Sequence, residues 1–179
     1  MALVAEGPGA SSRDYFDLFQ LAPQFDLDLD DLAARFRNLQ RAFHPDRFAG
    51  QDAGEQRAAA QLSADINAGY RVLRDPVARA GFMLQRLGCD LKALERQPLD
   101  GAFLMQQMQL REMAQSLAEA DATAKSALVD EVAALMDGAL ADFRAALEDD
   151  KLELAGVAWV QLLYITKLNA EVAGSSEPE

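Results

Sequence analysis

The chain of 179 residues carries one histidine, His44, and one cysteine, Cys89, so proton transfer, metal ligation or thiol chemistry would have to be built on these two or on carboxylates. Cys89 follows Gly88 and has no second thiol with which to form a disulfide or complete a soft-metal set. Such a thiol cannot hold a cluster by itself, and it fits a reducing cytoplasm. His44 is followed by Pro45 and Asp46, which places an imidazole, a rigid ring and a carboxylate side by side. In an enzyme His44 would act as general base, oriented by Asp46 or Asp75. No nucleophile or glycine-rich cradle accompanies it, so no catalytic residue is assigned and the protein is not expected to be an enzyme. The acidic pairs Asp30-Asp31 and Asp149-Asp150 read as solvated helix starts, so neither a metal nor another cofactor is expected. Taken alone, His-Pro-Asp is a turn with a solvated histidine, and only its setting gives it meaning.

That setting is helical. Half the residues are hydrophobic, enough for a core in one domain or two small ones, and proline is confined to boundaries. Apolar residues recur at spacings of three and four and no strand pattern emerges, so the fold class expected is all-α. A short helix is expected from Asp14 to Phe19, and a second helix is N-capped by Asp28. In that second helix Leu32, Phe36, Leu39 and Phe43 share a stripe, while Arg37, Asn38 and Arg41 face the opposite way. Pro45 ends it near His44, because the residue before proline avoids helical backbone. A third helix with Ala59, Leu62, Ile66, Tyr70 and Leu73 on one face can pair with the second as a hairpin whose tip is His44-Pro45-Asp46. Asp75 and Pro76 then open a fourth helix ending at Gly88.

The remaining chain predicts a connector over 88–98 and three helices, roughly Gly101 to Ala120, Ala124 to Leu147 and Lys151 to Val172, arranged as a three-helix bundle. The first of these carries two apolar faces, one with Phe103, Leu110, Ala114 and Leu117, the other with Leu104, Met105 and Met108. A bundle helix needs only one. The second face either packs under the fourth helix or receives a partner, and methionine suits adaptable partner surfaces. Trp159 is expected in the core. The domain limits expected are a flexible lead over 1–12, a hairpin domain with bridging helix over 13–87, the connector over 88–98, the bundle over 99–172 and a disordered tail over 173–179.

Charge narrows the function. Lysine and arginine total 17 against 29 acidic residues, a formal net charge of -12, which disfavours nucleic acid and an anionic membrane surface as partners. The leading residues lack the basic start and apolar core of a secretory signal, and no later segment approaches a membrane span. From Arg35 to Arg47, however, four arginines stand against the single acid Asp46. Such a local positive patch steers an acidic partner.

The run Phe36-Arg37-Asn38-Leu39-Gln40-Arg41-Ala42-Phe43-His44-Pro45-Asp46-Arg47-Phe48 resembles a J-domain, specifically that of the iron-sulfur co-chaperones of the HscB type, and Asp14-Tyr15-Phe16-Asp17-Leu18-Phe19 is similar to the same branch. The resemblance implies that the tripeptide and the basic helix face dock on a DnaK-like or HscA-like chaperone and stimulate its ATPase. Arg37, Asn38, Arg41 and Arg47 would flank His44, which gives directional hydrogen bonds. Pro45 would fix the loop, and Asp46 would offer a carboxylate to a partner arginine. The tract Phe103-Leu104-Met105-Gln106-Gln107-Met108-Gln109-Leu110-Arg111-Glu112 is similar to the family segment that holds the IscU-type iron-sulfur scaffold protein. It implies scaffold contacts at Leu104, Met105, Met108, Gln109, Glu112 and Tyr164. Gln109 stands where the family commonly has an acid and Tyr164 where it commonly has phenylalanine, which implies weaker charge complementarity. No cysteine precedes Cys89, so the metal-binding front segment of some eukaryotic relatives is not expected, and a bacterial-type protein is implied. A general folding co-chaperone with a different client is the alternative, disfavoured by the missing glycine-rich and zinc-finger client modules.

Overall fold

The computed structural model describes residues 14–116 and 122–174, and among these there are helices and no strands. The described chain divides into two compact units, one up to Arg79 and one from Ala80. The expected lead over 1–12 lies outside the described residues, as does the tail except for 173 and 174, which continue the last helix as far as Gly174.

In the first unit, α1 (Tyr15–Phe19), α2 (Leu29–Phe43) and α3 (Ala53–Arg74) surround a core of Phe16, Phe19, Leu32, Ile66 and Leu73. Each start has a side-chain cap: Asp14 accepts from the Phe16 N–H, Asp28 from those of Asp30 and Asp31, and Asp52 from those of Gly54 and Glu55. The α2–α3 hairpin is fastened by the stacked rings of Phe36 and Tyr70, centroids 4.0 Å apart, and by Gln40 donating to Asn67 at 3.1 Å. Gly69 lets α1 lie against α3, since a side chain there would begin 2.9 Å from Tyr15 and 3.0 Å from Phe19. Arg35 ties α1 to α2 by pairing with Asp31 at 2.8 Å and donating to the carbonyls of Phe19 and Gln20.

Helix α4 (Pro76–Arg86) starts on Asp75, which accepts from the Val77 and Ala78 N–H groups. Arg79 is buried, donates to the Leu73 carbonyl and lies 5.0 Å from the centre of the Phe25 ring. The division between the two compact units falls inside α4, after Arg79.

In the second unit Gly81 seats the Trp159 indole, whose Nε1 is 2.9 Å from the site of a Gly81 side chain. Gly88 ends this part of the chain with φ +87, which glycine adopts without strain. The expected connector contains a short helix, α5 (Leu91–Leu94), capped by Asp90. Then follow α6 (Gly101–Ser116), α7 (Ala122–Glu148) and α8 (Leu152–Gly174). Asp149 and Asp150 close α7, with Asp150 left-handed at φ 56 and Asp149 2.7 Å from Lys151. The core joins Leu128, Val132 and Phe143 of α7 to Trp159, Leu162, Ile165 and Leu168 of α8. Helices α6 and α8 run parallel, because Phe103 meets Tyr164 and, further along both, Arg111 pairs with Glu171 at 3.0 Å.

A methyl group at Gly156 would fall 2.6 Å from Leu94 Cδ2, so α5 can approach α8 only because residue 156 has no side chain. Gly156→Ala should cost about 1–3 kcal/mol in urea denaturation. An unchanged midpoint would mean that α5 shifts off α8 freely.

Candidate functional site

At the hairpin tip, His44 ends α2 in extended backbone and begins a 3-10 turn, Pro45–Phe48. Proline fits there because its ring fixes φ and a first-turn N–H would go unpaired. The His44 Nδ1 accepts from the Asp46 N–H at 3.3 Å and lies 3.5 Å from Asp46 Oδ2. His44 thus caps the 3-10 turn through Nδ1, and Nε2 is the ring nitrogen outside that cap. Both side chains are open to solvent, His44 at 59% and Asp46 at 89%.

The arginines divide by role. Arg37 and Arg41 are exposed on α2, and Arg41 donates to Asn38 at 2.6 Å, which makes these three one face. Arg47 folds back to donate to the Arg41 carbonyl at 3.4 Å, satisfying part of the open end of α2. Arg35, counted by sequence in the positive window, is engaged with Asp31 and α1, so the patch at the tip consists of Arg37, Arg41 and Arg47. Sequence reasoning missed Gln56, whose amide donates to the carbonyls of Ala49 and Gln51 at 3.3 and 2.9 Å and so ties the loop to α3. A glutamine four residues past a cap offers no signal of that role.

On α6 the core face carries Leu110 and Ala114, while Leu104, Met105 and Met108 remain 37%, 63% and 60% exposed, so the second apolar face is not covered by α4. Glu112 lies between Met105 and Met108 and Gln109 on the margin, and both are exposed. Tyr164 is half-buried, edge-on to Phe103 with centroids 6.2 Å apart, and Lys167 lies 5.7 Å from its ring centre. The structure thus brings Tyr164 to α6 through Phe103 and adds a cation, Lys167, that sequence reasoning had not placed there. Leu117 lies outside the described residues. Cys89 is half-buried, and Trp159 is in the core.

Residues 99–173 match the family model of the HSCB C-terminal oligomerisation domain. A co-chaperone protein HscB homolog from Pseudoalteromonas atlantica is 40% identical over 164 residues, spanning 89% of this chain and 94% of that protein. The chain belongs to the HscB co-chaperone family. An HscB homolog from Photobacterium profundum is 37% identical over the same shares of the two chains. Among solved HscB structures, chaperone HscB from Vibrio cholerae superposes with TM-score 0.81 at 36% identity, covering 90% of this chain and 96% of that one. Human co-chaperone HscB superposes with TM-score 0.86 at 26% identity, covering 96% and 86%. The HscB family model spans α6 to α8, while the hairpin tip is matched by relatives over nearly their full length. No helix among the described residues is long and apolar enough to cross a membrane.

Proposed function

We propose that this protein is a cytoplasmic co-chaperone of iron-sulfur protein maturation that holds an IscU-type scaffold on its bundle domain and presents it to a DnaK-like or HscA-like chaperone. The observation that carries this is the presence of two surfaces of opposite chemistry on separate compact units. The tip carries His44, Asp46 and three arginines within a chain of net charge -12, which suits an acidic chaperone surface. The α6 stripe exposes Leu104, Met105 and Met108, which suits an apolar partner face.

Stimulation of ATP hydrolysis would come from the tip: Arg37 and Arg41 attract, His44 Nε2 donates, and Asp46 accepts from a partner arginine. The bundle, proposed as residues 99–172, would act by raising the effective concentration of scaffold near the chaperone, toward the mM range for short tethers. Gel filtration of chaperone, scaffold and this protein together should give a three-component complex. Mutually exclusive binding of the two partners would overturn the proposal, and capture of chaperone without scaffold would leave a general folding co-chaperone.

A further inference from the structure

Gln107, midway along α6, is 1% exposed, and neither its amide oxygen nor its nitrogen has a hydrogen-bond partner among the described residues. An unpaired buried amide is unfavourable, whereas a methionine would fill the same place without that penalty. The positions one turn on either side are matched to α8, Phe103 on Tyr164 and Arg111 on Glu171. Between them Gln107 has no such tie.

At 100° per residue, Gln107 lies about 60° around the helix from Leu104, on the edge of the core face that adjoins the exposed stripe. A carboxamide offers one acceptor and two donors, the complement of a peptide group, and being neutral it asks for no charged partner. The stripe itself supplies apolar side chains and the Glu112 carboxylate, which accepts but cannot donate. Gln109, on the other margin, is exposed to water, so pairing there exchanges one hydrogen bond for another with little gain. Gln107, by contrast, is screened from bulk solvent.

We infer that Gln107 is a specificity residue of scaffold capture: held unpaired in the free protein, its side chain turns to the stripe and pairs with a backbone peptide group of the docked scaffold. This rests on the stripe being the scaffold surface. The scaffold segment it fits is a loop or sheet edge with an open peptide group beside apolar side chains.

The test uses the full chain with Gln107→Met, measured for thermal unfolding and for calorimetric affinity to an IscU-type scaffold, beside a Leu104→Ala, Met105→Ala control. The expected result is an equal or higher unfolding midpoint with affinity about tenfold weaker. In the wild type, the Gln107 side-chain NH2 resonances should move on scaffold addition. Unchanged affinity in Gln107→Met while the control loses binding would overturn the inference and leave the stripe standing. A lowered midpoint would mean the amide is already paired, which also overturns it. Unchanged affinity in the control would remove the stripe reading itself.

Discussion

His44→Gln should abolish stimulation of the cognate chaperone's ATP hydrolysis, a loss of at least about tenfold, or 1.4 kcal/mol in transition-state terms. His44 is mostly solvent-exposed, and its one internal duty is to accept the Asp46 N–H, which a glutamine oxygen can also do. The variant should therefore keep its unfolding midpoint within about 0.5 kcal/mol. What it loses is the ring geometry that sets Nε2 outside a capped turn, which Arg47 ties to the Arg41 carbonyl of α2 and Gln56 ties to α3. Steady-state ATP turnover with scaffold present measures this, and scaffold binding by the variant should be unaltered. Full stimulation by the variant would make the tripeptide a simple turn.

Leu104→Ala with Met105→Ala should remove scaffold capture, a loss of about 3–4 kcal/mol if both act as central anchors, or more than about a hundredfold in Kd. Met105 lies largely outside the core and Leu104 is about one-third exposed, so folding should change by about 0.5 kcal/mol at Met105 and about 1–2 kcal/mol at Leu104, leaving the fold intact. The tip belongs to the other compact unit, so scaffold-independent ATPase stimulation should survive. Calorimetry for binding and ATP turnover for stimulation separate the two effects. Equal scaffold affinity in wild type and variant would move the capture site elsewhere.

These two expectations draw unequally on sequence and structure. The caps Asp28 and Asp75, the stop at Pro45 and the Phe36–Tyr70 face follow from rules acting within a few residues, which is why the hairpin and its tip were legible at once. The second apolar face of α6 was legible as a pattern, but whether α4 covers it depends on distant packing. Its exposure is a tertiary fact.

The same distinction holds through the chain. Helix boundaries, the His44-Pro45-Asp46 turn and the family resemblance rest on residue type and local spacing, where backbone sterics and capping dominate. Only the folded molecule withdraws Arg35 from the positive patch, brings Tyr164 to α6 beside Lys167, uses Gly81 and Gly156 to admit Trp159 and Leu94, and leaves the Gln107 amide unpaired. Each of those depends on which side chains from remote segments compete for one space or one hydrogen bond, and helical periodicity specifies a face without naming what meets it.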